Sequence, residues 1–468
     1  MEKEKNIGDA AFKAGVWYVI SSVMVKAVTI VATPIFTRIL SVEEYGIISV
    51  FSSWYSLLLP VCSLNLTYSV GRAKIDFPDK LDFYIGSMQM LAAIMTIGLL
   101  VVTVFFIEPL SLLMKLDRKI IILLFVYLFF APAIIFKQNG YRYRYQYKQN
   151  IMIAWYMAVS NIGLSLVFLF YGYQEKVILR ILGIIFPVVF LSMIFWFTSL
   201  KKHTLCINKE YWKYGISLSA PLVVHTISLN ILSQSDRILI TKMCGEEATG
   251  IYSLAYMYAL MMSVVTSAIS DGWLPWFHDN YAQRKFEDIR KNVKPVVVFG
   301  CYIGLASIGL APEAIRILGG AMYEEGIMCV PPIVLGVVCQ FIYTHYVNIE
   351  MHMKKTKYVS AGTILASVAN IILNWICIPC FGYLAAAYTT LVSYILLLMI
   401  HYFITIFVLK VRIYEDKFMF GAIAVMFLLA RIIMVSYGND VFRYSLIVIG
   451  FFSFLWFFRE RLLKYCKG

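Results

Sequence analysis

Apolar residues in this chain fall into long unbroken blocks, not into the alternation of a strand or the narrow stripe of a soluble helix. Fourteen blocks are read, at approximately 14–36, 45–69, 83–107, 120–136, 151–171, 177–198, 214–235, 249–273, 295–311, 327–349, 358–378, 383–409, 417–437 and 444–458. Most are long enough to cross the hydrocarbon of a bilayer as a helix. The connectors are short, the longest about 15 to 17 residues. The pattern predicts an all-α polytopic membrane protein of about 14 transmembrane helices. The opening MEKEKNIGDAAFK is mixed in charge and no small-residue cleavage site follows it, so the first block is read as a retained span.

That first block is not uniformly apolar. Ser22, Lys26, Thr29, Thr33 and Thr37 recur at steps of four, three, four and four, which puts them on one helical face. Lys26 stands roughly 18 Å along the axis from either end of the block, beyond the reach of a snorkelling stem. Facing lipid there would cost roughly 3 kcal/mol. The stripe therefore predicts a helix lining a wet cavity. The alternative for Lys26 is an interhelical pair with a carboxylate or carbonyl. Helix 2 carries a further serine-rich face (Ser49, Ser52, Ser53, Ser56) that suits either tight packing or a pore lining.

The block has an echo half a chain later. His225 precedes Arg237-Ile238-Leu239 by twelve residues, as Lys26 precedes Arg38-Ile39-Leu40. Beyond each stand two glutamates and a glycine: Glu43, Glu44 and Gly46, then Glu246, Glu247 and Gly250. Gly-Ile-x-Ser follows both times, at 46–49 and 250–253. A related RIL…EE…G run begins at Arg316. Two halves, each led by a helix with an ionisable group at mid-depth, are the anatomy of a transporter. Three segments are predicted: an N-terminal lobe over 1–200, a C-terminal lobe over 201–412, and two further helices over 413–468 that look like an appendage. The two lobes are pseudo-symmetric, with six helices each.

Composition agrees with the class. Hydrophobic residues make up 61% of 468 and charged ones 15%, well under the charged share of soluble domains. The net charge of +14 reflects topology. Most lysines and arginines fall in the segments that lie inside if the N-terminus is inside, which predicts cytoplasmic N- and C-termini. The Tyr and Arg interleaving over 141–148 reads as an interfacial anchor, not as a nucleic-acid site, and the basic amphipathic run 278–294 is expected on the inner leaflet. Arg431, near the outer end of its span, is within snorkelling reach and is assigned no function.

Catalytic chemistry is missing. There is no phosphate loop GxxxxGK[ST], no DxD-like cluster and no extramembrane segment large enough to hold acids, bases or a metal. The nine cysteines read as small apolar helix residues, Cys377 and Cys380 included despite their redox-motif spacing. His345 and His352 lie seven apart, with no cluster that completes a metal site. What remains is cationic: Lys26, titratable His225, and Arg38 and Arg237 at the outer mouth. Asp236 is the one carboxylate close to either lead helix, and it is expected to hold Arg237. Cations facing a cavity suit an anionic ligand, phosphate or diphosphate above all. For His225 a hydrogen-bonded core role is the alternative.

The runs TPIFTRILSVEEYGIISVFSS and SDRILITKMCGEEATGIYSLA resemble those of the polysaccharide-export flippases of the MATE/oligosaccharidyl-lipid superfamily, specifically the Wzx-type O-antigen and capsule flippases. The likeness extends over nearly the whole chain. It implies two six-helix lobes around a central cavity. It also implies movement of an undecaprenyl-diphosphate-linked oligosaccharide from the inner to the outer leaflet, with a polysaccharide polymerase and a chain-length regulator as partners. On this reading Lys26 and His225, with Ser22, Thr29 and Thr33, meet the cargo. Arg38 and Arg237 guide exit or close an outer gate with Glu43, Glu44, Asp236, Glu246 and Glu247. No cofactor is expected. An H+ or Na+ gradient is the expected energy source, with His225 a candidate for coupling to protons. Drug-exporting relatives typically keep acidic residues in the first lobe, where this chain has Lys26, so the ion-coupled drug antiporter is the second reading. A membrane enzyme of polysaccharide assembly is the third.

Overall fold

Helices account for almost all of the chain, because a backbone in hydrocarbon must satisfy its own hydrogen bonds. The computed structural model describes residues 2–172 and 174–465, with side chains for all of these except 2–16, 18, 19, 221 and 460–465. Of the nine cysteines, Cys466 lies outside the described residues. No strand is present among the described residues. Among the described residues, thirteen helices are long and apolar enough to span a membrane. The number is fourteen when Lys209–Ala220 and Leu222–Cys244 are taken as one span. This is a multi-pass membrane protein.

The chain divides into two compact units, 1–250 and 251–468. The first contains α1 (Glu2–Ile39), α2 (Val42–Cys62), α3 (Ser69–Asp76), α4 (Leu81–Phe105), α5 (Ile107–Met114), α6 (Arg118–Tyr143), α7 (Tyr147–Tyr171), α8 (Lys176–Lys201) and α9 (Lys209–Cys244). It also holds the start of α10 (Glu246–Ala282). Helix α6 is its hub, packing on α2, α4, α7 and α8, while α1 lies against α7 and α9 against α2 and α4. Val50, Phe51, Ile121, Leu124, Leu128 and Ile181 form the dry centre, with Tyr55 and Tyr127 stacked 4.1 Å apart beside it.

Helix 2 was expected to run to 69, and it ends earlier. Its last turn contains Pro60, and Leu64 and Asn65 adopt left-handed backbone (φ 48° and 51°). The reversal lets Asn65 Nδ2 donate to Thr226 Oγ1 at 2.7 Å and to Leu222 O at 3.2 Å on α9. A tertiary hydrogen bond thus sets the helix end.

The second unit continues α10 and adds α11 (Phe286–Gly309), α12 (Ala311–Gly319), α13 (Val330–His352), α14 (Thr356–Phe381), α15 (Leu384–Phe403), α16 (Asp416–Val435) and α17 (Asp440–Tyr465). Helix α13 is buried along nearly its whole length and packs on α11, α14, α15 and α16. The last two helices are docked on α11. Arg443 of α17, fully buried, pairs with Glu313 of α12 and with Asp440 at 2.8 Å, which fixes the end of the chain to the unit.

Candidate functional site

The stripe on α1 is present as a helical face, and its three threonine hydroxyls bond back to carbonyls of their own helix. Thr29 Oγ1 donates to Val25 O at 3.1 Å, Thr33 Oγ1 to Thr29 O at 2.9 Å, and Thr37 Oγ1 to Thr33 O at 3.1 Å. Ser22, Lys26 and Thr29 are exposed, whereas Thr33 and Thr37 are buried. The stripe is open along its first turns and packed towards its end. Lys26 stands six residues before Ala32, about 120° round the helix from the Ala32–Phe36 face that packs on Leu169. Among the described residues no carboxylate lies within ion-pair distance of Lys26.

Helix α9 meets α2 through a ladder of polar side chains. Asn230 Nδ2 donates to Ser56 O at 2.5 Å, and Gln234 Oε1 accepts from Ser53 Oγ at 3.2 Å and from Arg237 Nη1 at 2.8 Å. The serine face of helix 2 therefore serves packing at Ser53. Ser49, Ser52 and Ser56 donate to carbonyls of their own helix. His225, half-buried on α9, keeps its Nδ1 shielded and without a hydrogen-bond partner. Among the described residues no hydrogen bond joins His225 to Lys26.

The two RIL arginines share one habit. Arg38 Nη1 donates to Pro34 O at 2.8 Å and Arg237 Nη1 to Ser233 O at 3.1 Å, in each case the carbonyl four residues back. Arg38 is exposed, whereas Arg237 and its neighbour Asp236 are buried. Just beyond, Ser41 and Glu44 form a reciprocal capping box: Glu44 N donates to Ser41 Oγ at 3.1 Å and Ser41 N to Glu44 Oε2 at 2.8 Å. Glu43 is exposed in the same first turn, and Glu246 and Glu247 open α10 in the corresponding way. Acidic side chains at helix N-termini are favoured by the helix dipole.

The repeat's glycines are where the copies meet. A Cβ on Gly46 would lie 2.0 Å from Glu246 O and 3.1 Å from Gly250 N; one on Gly250 would lie 2.1 Å from Val42 O. Only hydrogen at both positions permits this crossing of α2 and the start of α10.

Three features escaped the sequence reading. Arg180, inside the aliphatic start of α8, bonds Asn161 Oδ1 at 2.9 Å and Ser165 Oγ, with the Phe36 ring 4.2 Å away. Its signal is another Arg-Ile-Leu, at 180–182. In the second unit, Glu350 of α13 and His401 of α15 pair at 2.9 Å with neither side chain exposed. A ladder of amides and hydroxyls joins α14 to α15. In it Asn374 Nδ2 donates to Asn370 Oδ1 at 3.2 Å, and Thr389 Oγ1 donates to Asn374 Oδ1. His345 sits among Trp273, Phe341 and Tyr414 with neither ring nitrogen hydrogen-bonded. His352 meets His278, Nδ1 to Nδ1, at 2.9 Å. The two histidines seven apart thus serve separate contacts.

Residues 12–281 match the family model described as polysaccharide biosynthesis protein. A protein of the Lsg locus of Haemophilus influenzae is 24% identical over 290 residues, 58% of this chain and 67% of that one. Among solved structures, the lipid II flippase MurJ in an inward closed conformation superposes with a TM-score of 0.72 at 16% identity, over 96% of this chain and 100% of that one. An inward-facing multidrug resistance MATE family transporter of the MOP superfamily gives 0.64 at 13% identity, over 83% and 95%. These two likenesses show the fold. The family match covers more than half of the chain, and on it this multi-pass membrane protein belongs to the polysaccharide biosynthesis protein family.

Proposed function

We propose that the chain is a flippase. It carries an undecaprenyl-diphosphate-linked oligosaccharide from the inner to the outer leaflet of the bacterial cytoplasmic membrane by alternating access. The sugar-diphosphate head cannot cross hydrocarbon unaided, since its charges and hydroxyls would lose water without replacement. Lys26, with His225, supplies substitute partners at mid-depth while the polyprenyl tail stays in lipid. The lobes 1–200 and 201–412 rock against each other, with 413–468 outside the repeat. The outer end closes where Gly46 and Gly250 cross, flanked by Arg38, Arg237 and the glutamates that follow them. Both termini are cytoplasmic, and an ion gradient drives the cycle.

The family and the fold shared with a lipid II flippase support this reading. The observation that carries it is Lys26, a cation inside the first span with an exposed side chain and no carboxylate partner among the described residues. Such a group is expensive in lipid and useful in a cavity.

The test is complementation of a strain that lacks its own flippase. Lys26→Ala is expected to abolish surface polysaccharide at normal membrane levels of the protein, and Lys26→Arg to retain part of it. Normal export by Lys26→Ala would remove the cationic cavity from the mechanism. Resistance to cationic dyes on expression, without polysaccharide export, would favour the drug antiporter instead.

A further inference from the structure

The start of α4 meets the ends of α6 and α8 at the side that the charge pattern assigns to the cytoplasm, and together they line a polar cleft of about 30 Å³. That is room for a few water-sized groups and too little for a sugar. Lys137 of α6, Arg144 just beyond it and Lys202 just beyond α8 line the cleft, facing a single carboxylate, Asp82 of α4. Asp82 is occupied by Arg144, Nη2 to Oδ1 at 2.9 Å. Among the described residues no carboxylate lies within ion-pair distance of Lys137; its ammonium lies over the rings of Tyr141 (5.5 Å) and Phe195 (6.0 Å).

Two backbone devices build this corner. Gly86 of α4 lets the turn after α8 approach, since a Cβ there would stand 2.2 Å from Thr204 O. His203 takes a left-handed conformation (φ 51°), and Thr204 N bonds back to Ser199 O at 3.0 Å, so Lys202 is folded over the end of α8.

Helix C-termini attract lysines without any ligand. They do not explain Gln89. This side chain lines the cleft, is 5% exposed, and its Nε2 donates to nothing. A buried amide donor without a partner costs free energy that an acceptor in the cleft would recover.

We propose that the cleft binds a phosphate-bearing anion, with Gln89 donating to a phosphate oxygen and Lys137 and Lys202 supplying charge. The chemistry is shared by an anionic phospholipid headgroup and by free phosphate. None of the lining residues comes from α1 or α9, so this site is separate from the proposed cargo path and stands whether or not that path is right.

The experiment is thermal unfolding of the full chain in neutral detergent, titrated with short-chain phosphatidic acid, phosphatidylcholine or inorganic phosphate at constant ionic strength. A ligand that binds only the folded state raises the midpoint with its concentration. Phosphatidic acid is expected to give a saturable rise, and Gln89→Leu and Lys202→Gln each to weaken its half-saturation at least tenfold. A rise with inorganic phosphate as well identifies the phosphate group itself as the ligand; a rise with phosphatidic acid alone identifies the membrane lipid. Native mass spectrometry of the same variants reads bound lipid directly, should one of them unfold too early for titration. No saturable rise with either anion, or equal rises in wild type and both variants, would overturn the proposal, as would equal binding of phosphatidylcholine.

Discussion

Gly46 and Gly250 stand against each other with backbone in contact, each at the position where its copy of the RIL…EE…G pattern turns into Gly-Ile-x-Ser. The pattern was legible as a repeat; its physical content is this crossing. Helices approach so closely only where neither carries a side chain. Gly46→Ala is therefore expected to cost about 1–3 kcal/mol of stability, because the atom met is a backbone carbonyl that cannot swing away. Gly98→Ala in α4, where a Cβ would meet nothing within 4 Å, is expected to be neutral or slightly stabilising. Denaturation of the purified variants checks both, and equal costs at the two positions would contradict the crossing.

Glu44 has two possible duties, and they separate by substitution. As half of a capping box it should tolerate glutamine, which serves at that position, and lose about 1 kcal/mol as alanine. As a charged gate it should fail as glutamine too. Stability is expected to follow the cap, with Glu44→Gln near wild type and Glu44→Ala lower. Polysaccharide export by Glu44→Gln then reports whether the charge matters to transport.

Glu350 and His401 are joined in a place that offers neither of them water. Removing one partner leaves the other buried and unmatched, so Glu350→Ala is expected to cost about 1–3 kcal/mol. Replacing both, as in Glu350→Met with His401→Phe, is expected to restore most of that loss. A double-mutant cycle in detergent measures the coupling; strict additivity of the two changes would deny that they act as a pair.

Asp76, at the end of α3 and outside the spans, accepts hydrogen bonds from Tyr214 Oη and from Arg72 Nε at 3.0 Å. The first, then the second, hold its carboxyl below the ordinary value of 3.8. A depressed carboxylate contributes stability that is present above its unfolded-state value and lost as pH falls through its folded one. Tyr214→Phe is accordingly expected to be less stable than wild type at neutral pH, with the gap closing as pH drops below 3.8. Unfolding midpoints across that range read the effect, and a gap independent of pH would assign Tyr214 to packing alone.

The spans, the repeat and Lys26 in the first block were legible in the sequence, because a bilayer demands about twenty apolar residues per helix and makes a charge near the middle of one conspicuous; Arg180, near the start of its helix, was not. What hydropathy could not rank was which helices lie inside. A helix wrapped by protein and one bathed in lipid are equally apolar, so α13 reads no differently from α14, although α13 is buried along nearly its whole length and α14 is not. Partners were equally hidden. Glu350 and His401 stand 51 residues apart, and Asn65 and Thr226 stand 161 apart. Only the packing of whole helices brings such groups within bonding distance, since the period of a single helix relates a residue to neighbours three or four positions away and to nothing farther. The same reason applies to the glycines: the sequence shows that they recur, and only the crossing shows that they touch.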